Sequence, residues 1–140
     1  MIRISTRLVI LFPSIVLKFP IDRRGYLQSK NEKLIWNKYK STDILGELYW
    51  EFCGIVCMKR YWPTSKVPRS KVLLTKSTIK EFDIDQCDLY NPKNWGTEKG
   101  KHYLLDYGIN QYISTLYKNN PTSRRRHTHG VPSNQWKNIL

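Results

Sequence analysis

What most constrains this chain is a pattern that occurs twice. Two short runs rich in Val, Ile and Phe, Arg7–Phe12 and Ser14–Phe19, lie back to back with Pro13-Ser14 between them. After a longer stretch, Gly46–Phe52 and Gly54–Lys59 repeat the arrangement around a central Cys53-Gly54. Short apolar runs split by turn residues read as β-hairpins. Between the pairs, Leu27, Leu34, Ile35 and Tyr39 recur at helical spacing with Lys and Asn among them, which predicts a helix over 27–40. Pro20 and Asp22-Arg23-Arg24-Gly25 separate the second strand from that helix, and Ser41-Thr42-Asp43 closes it. The order is hairpin, helix, hairpin.

Downstream the signals are weaker. Residues 63–71 are polar and proline-containing and read as a connection. Residues 76–82 suggest a short helix, and residues 83–92 look irregular, with Asp83, Asp85 and Asp88 close together. Asn94-Trp95 and Tyr103-Leu104-Leu105 flank Thr97-Glu98-Lys99-Gly100, which predicts a third hairpin. Ile109, Tyr112, Ile113 and Leu116 share one helical face, so a helix is expected over 109–117. From Asn119 the sequence is polar and basic and reads as a tail, with Trp136, Ile139 and Leu140 able to dock at its end. A chain of 140 residues supports one modest core, hence one domain. The expected class is α+β: a small antiparallel sheet with one packed helix, a reduced second lobe and a basic C-terminal tail.

Composition narrows the functions. The formal net charge of +13 favours polyanions or acidic partners. Only Arg124-Arg125-Arg126 concentrates it, so these arginines are the candidate nucleic-acid contacts. The bland reading of that segment is a solvated basic tail. Three cysteines, Cys53, Cys57 and Cys87, are too few and odd in number for a disulfide framework. Cys53 and Cys57 lack the usual zinc spacing and read as small apolar residues. His127-x-His129 has no neighbouring Cys or carboxylate, so no transition metal is assigned there. Leu8–Leu17, preceded by Arg3 and Arg7, has the flavour of a secretory signal, but Pro13-Ser14 interrupts it and Lys18-Phe19-Pro20 supplies no cleavage site. The run is also too short to span a membrane. The expectation is a cytoplasmic protein without a membrane partner.

The segment KHYLLDYGIN, residues 101–110, reads as a short buried strand ending in Asp106-Tyr107-Gly108. Here the order of elements and several motifs resemble the protein kinases and aminoglycoside phosphotransferases. Ile15-Val16-Leu17-Lys18-Phe19 resembles the strand bearing a phosphate-pairing lysine. Ser29-Lys30-Asn31-Glu32 resembles the helix turn that supplies its glutamate partner. Leu48-Tyr49-Trp50 with Gly54-Ile55-Val56-Cys57-Met58 is similar to the strands leading to the nucleotide hinge. Asp88-Leu89-Tyr90 with Asn94-Trp95-Gly96 resembles a catalytic loop, and Leu104-Leu105-Asp106-Tyr107-Gly108 the metal-binding turn.

The resemblance covers about residues 7–109 and implies roles. Lys18 and Glu32 would form the ion pair, with Lys18 and Met58 at the nucleotide. Asn94 and Asp106 would hold magnesium, and Asp88 would accept the substrate proton. ATP and magnesium are the cofactors it implies, because phosphoryl transfer needs positioning and charge stabilisation. Taken singly, each motif has an ordinary structural reading: a snorkelling lysine, a first-turn glutamate, a turn aspartate. On this division residues 1–62 are small-lobe-like, 63–71 link, 72–118 form a reduced large-lobe remnant, and 119–140 are the tail.

The departures from the family are specific. No glycine precedes Gly25, so the glycine-rich lid over the phosphates is missing. Gln86-Cys87-Asp88 replaces the usual His-x-Asp, Asn94 stands one residue further away than the pattern prefers, and Asp85 rivals Asp88 as the base. Little chain remains for a large lobe. These losses imply a pseudokinase that acts by binding a partner protein, similar to accessory factors of viruses or mobile elements. The alternatives are an active minimal ATP-dependent phosphotransferase and a basic nucleic-acid-binding protein.

Overall fold

The computed structural model describes residues 2–82, 84 and 86–108. The expected helix over 109–117, the tail with Arg124, Arg125, Arg126, His127 and His129, and the acids Asp83 and Asp85 lie outside the described residues.

The class is α+β. Strands β1 (Ile2–Ile4), β2 (Arg7–Leu11), β3 (Ile15–Pro20), β4 (Leu48–Phe52) and β5 (Ile55–Lys59) form an antiparallel sheet in the order β1-β2-β3-β5-β4. The two hairpins are where the sequence puts them. β1 was not anticipated; it pairs Ile2 with Ile10 and Ile4 with Leu8 along the edge of β2. The helix α1 (Arg23–Tyr39) begins four residues before its first apolar landmark, Leu27. Asp22 explains this: its side chain accepts from the Gly25 N–H at 3.0 Å, capping an orphan donor of the first turn. α1 packs against β3, β4 and β5.

A second sheet follows in the order β6-β7-β8, with β6 (Trp62–Pro63), β7 (Trp95–Glu98) and β8 (Lys101–Leu104). The β7–β8 hairpin is the predicted one. Its turn, Lys99-Gly100, has φ of 50° and 77°, the positive pair that matches strand twist in a two-residue loop. This hairpin is anchored to the segment before β4, because the Gly46 N–H donates to Leu104 O at 2.7 Å and Leu104 N–H to Ile44 O at 3.0 Å.

The stretch between the sheets differs from expectation. Helix α2 runs Arg69–Thr78, so it begins inside the polar segment expected to be a connection, and a 3-10 turn at Lys80–Phe82 replaces the end of the expected helix. Pro68 is the N-cap of α2, with an extended ψ of 132°, so the helix begins at Arg69. Val72, Thr75 and Ile79 face the interior at helical spacing, but the intervening Ser, Lys and Thr mask the pattern. Within the segment expected to be irregular, Gln86–Tyr90 forms a short helix, α3. Residues from both sides of the expected boundary share a core: Ile35, Val56 and Met58 with Val72, Ile79, Leu89, Trp95 and Leu104. Among the described residues, no helix is long and apolar enough to cross a membrane.

Candidate functional site

Register decides which side chains meet. In the main sheet Arg7 lies opposite Pro20, Val9 opposite Lys18, and Lys18 opposite Val56. Side chains alternate along a strand, so Arg7, Val9, Lys18 and Val56 share the face beneath α1. On α1, Gln28, Ser29 and Glu32 are buried on the side turned to that face. The chain leaving β8 passes between the two and delivers Asp106.

The result is a quartet of charges, with Arg7, Lys18 and Glu32 buried and Asp106 partly exposed. Arg7 grips Glu32 with both arms of its fork, Nη1 to Oε2 at 2.9 Å and Nη2 to Oε1 at 2.8 Å. Lys18 Nζ reaches the same Oε1 at 3.0 Å. Arg7 Nη2 also donates to Asp106 Oδ1 at 3.2 Å. Glu32 is fully buried, and Arg7 is 3% exposed. Burying charge is costly unless it is paired and hydrogen-bonded. Here two cations face two carboxylates, so the formal charges of the quartet cancel. Breaking such a set by removing one member is expensive.

Neutral groups complete the network. Thr6 Oγ1 donates to Gln28 Oε1 at 2.9 Å, and Gln28 Nε2 donates to Asp106 Oδ1 at 2.9 Å. Burial pushes the Asp106 carboxyl up, but the charges of Lys18 and Arg7 and the Gln28 hydrogen bond outweigh it and hold the group below its usual range. Asn31 Nδ2 donates to Gly108 O at 3.0 Å, fixing the chain just past Asp106. Gly108 sits so close to α1 that a Cβ there would run into Gln28 O and the Glu32 side chain. That close approach explains a glycine at this position.

Leu105 joins this quartet to a second polar pair. Its carbonyl accepts from Lys18 Nζ at 3.1 Å, and its N–H donates to Asn94 O at 2.7 Å. The Asn94 side chain turns to Asp88, with Nδ2 donating to Asp88 O at 3.0 Å and approaching Oδ1 at 3.4 Å. Asn94 ends a 3-10 turn, Pro92–Asn94, that leads directly into β7.

The residues given roles from sequence therefore fall into three groups. Lys18, Glu32 and Asp106 meet directly. Asp88 and Asn94 pair with each other and touch the first group through the Leu105 backbone. Met58 stays apart: it is 2% exposed in the core, on a strand paired on both sides, opposite Val16 and Leu48. Sequence reasoning missed Arg7, Gln28 and Thr6. Arg7 was legible in one respect, since a charge opening an apolar strand, two residues before the position facing Lys18, lands on the lysine's face.

The chemistry of the site follows from its charges. For magnesium, the Asn94 and Asp106 donors do not fit as arranged. Asp106 Oδ1 already takes Arg7 and Gln28, and two cations beside it oppose a third. A divalent ion at Asp106 would sit beside the Arg7 guanidinium and be opposed by its charge. Among the described residues no group of three or more His, Cys, Asp or Glu stands close enough to hold a metal ion. No protein-family model, curated protein or solved structure matches the chain.

Proposed function

We propose that this is a kinase-like accessory protein, a pseudokinase that works by binding a partner protein rather than by transferring phosphate. One observation carries the reading: the Arg7 guanidinium bridges Glu32 and Asp106 and cancels the charge a nucleotide–metal complex would use. Phosphoryl transfer needs a lysine–glutamate pair in place and a carboxylate open to metal. Here the Lys18–Glu32 pair is in place, but Arg7 shares Glu32 and, with Gln28, holds Asp106. The Lys18–Glu32 pair, on a strand and the helix after it, supports descent of the scaffold from a phosphotransferase.

The test is calorimetry with Mg-ATP on the wild type and on Arg7→Ala, followed by a phosphotransfer assay. The reading expects no binding to the wild type. Wild-type binding that disappears in both Lys18→Ala and Asp106→Ala, with phosphate transferred, would replace it with the active minimal phosphotransferase. That second reading is favoured by one detail: Asp106 is 32% exposed, enough for solvent to reach it.

A further inference from the structure

The second sheet borders a surface of a different kind. Trp62 pairs with Thr97, and Thr97 with His102, so the three side chains share one face of β6, β7 and β8. Tyr61 and Tyr103 meet on the other face, with ring centroids 4.9 Å apart. Trp62 is left 77% exposed. Two strand spacings away, about 10 Å, His102 and Lys101 line one side of an open hollow of about 310 Å³. Ser70, Lys71 and Leu74 of α2 line the other side. The charge here is one-sided in the sequence. No Asp or Glu stands between Glu51 and Glu81, while residues 59–80 hold seven Lys and Arg. Lys59 pairs with Glu98 at 2.8 Å, and Arg60 Nη1 donates to Phe12 O at 2.7 Å. Asp43 stands beside the hollow. It accepts from Lys101 at 2.9 Å, and that hydrogen bond, with the Lys71 charge further off, holds its carboxyl below the ordinary range. Both members of the Asp43–Lys101 pair are exposed, so the pair is worth little and does not keep Lys101 from another anion.

We propose that this surface binds single-stranded nucleic acid, with a base stacked on Trp62 and a neighbouring phosphate in the hollow between Lys71 and Lys101. The inference goes beyond the partner-protein reading and does not depend on it. A single strand alternates phosphates with planar rings, and proteins that bind it combine a cationic groove with exposed aromatic side chains. The same two chemistries stand side by side here. Lysines alone would suit any polyanion, and the indole discriminates among them. An acidic protein neutralises Lys71 and Lys101 but brings no run of planar rings to Trp62. A duplex keeps its bases stacked inside, out of reach of the indole. The net charge of +13 supplies attraction at long range, and the cations in contact with phosphate set how steeply binding falls with salt.

The experiment is fluorescence anisotropy of the full chain with labelled oligo-dT and with a duplex of the same length, repeated across a range of salt. Each variant is made in the wild type and in a chain carrying Arg124→Ala, Arg125→Ala and Arg126→Ala, which takes the basic run of the tail out of the comparison. The single strand is expected to bind more tightly than the duplex, and less tightly as salt rises. Trp62→Ala weakens it about tenfold, the loss of one stacked base, and leaves the salt slope unchanged. Lys71→Ala and Lys101→Ala each flatten the slope by about 0.7, the share of one phosphate contact on a single strand. Asp43→Asn tightens binding about twofold by freeing Lys101. Asparagine tolerates the left-handed conformation that Asp43 holds, with φ of 57°. Trp50→Ala, at an exposed aromatic of the first sheet, changes nothing. No binding at about 0.05 M salt overturns the proposal. So does a duplex bound as tightly as the single strand, or binding that Trp62→Ala and Lys71→Ala leave intact. Poly-glutamate bound as tightly as the oligonucleotide, and lost in Trp62→Ala, overturns it too and assigns the surface to an acidic protein.

Discussion

The two faces of the five-stranded sheet reverse the usual arrangement. Beneath α1, where a core is expected, Arg7 and Lys18 meet Glu32 and Asp106. On the open side, where charge is expected, Leu8, Ile10, Leu17 and Phe19 run between Ile2, Ile4, Trp50 and Phe52. Arg7 and Lys18 come from the same strands as Leu8, Ile10, Leu17 and Phe19, at alternate positions, while Glu32 comes from α1 and Asp106 from the segment after β8. The inner set gains little net stability from its ion pairs, because desolvation offsets most of the attraction. It gains specificity, since each charge has one geometry in which it is paired. The outer set has no such requirement, and Ile2, Ile4, Trp50 and Phe52 stay exposed.

Substitutions can break this contrast, and the inner face should respond most. Glu32→Ala leaves Arg7 and Lys18 buried without their shared anion, and chemical denaturation should show a loss of about 3–5 kcal/mol. Arg7→Ala is milder, about 2 kcal/mol, because Glu32 keeps Lys18 and Asp106 keeps Gln28. A smaller loss in Arg7→Ala than in Glu32→Ala distinguishes a shared anion from two independent pairs.

Asp106→Asn should cost about 1 kcal/mol near neutrality, reduced by the partial exposure of the side chain. Its effect depends on pH with a definite sign. The folded carboxyl titrates below its ordinary value of 3.8, so its contribution is present above that value and disappears as the pH falls through the lower folded value. Stability curves of the wild type and Asp106→Asn should therefore converge in acid and separate above pH 4 or so. Curves that stay parallel would remove the charge of Asp106 from the quartet. The smallest effect belongs to the outer face: Phe52→Ser, measured in dilute protein, should change the stability of the single chain by no more than about 0.5 kcal/mol. A loss of several kcal/mol there would show that the face is already covered within one chain.

Much of the main sheet was legible in the sequence, because its hairpins rest on local signals. Apolar runs flank Pro13-Ser14 and Cys53-Gly54, and Lys99-Gly100 closes the later hairpin. Less was legible where tertiary contacts override local character. α2 hides its buried face behind Thr75, a polar residue with no exposure. β1 is too short to register without β2 beside it. In the candidate site, Lys18, Glu32 and Asp106 were named from motif order, whereas Arg7 and Gln28 carry no motif and became visible only when the strands were placed in register. Met58 was named for its place in a motif, and packing put it in the core.

Sequence alone determined the α+β class, the paired strands and the helix between them, because turn chemistry and apolar periodicity act over a few residues. It also determined that Lys18 and Glu32 stand on adjacent elements. The tertiary structure decided that Arg7 joins them, that Asp106 returns from the far end of the described chain to meet that arginine, and that the opposite face is left apolar and open. Those outcomes depend on cross-strand register and on a contact between residues 7 and 106, and no local signal reaches that far.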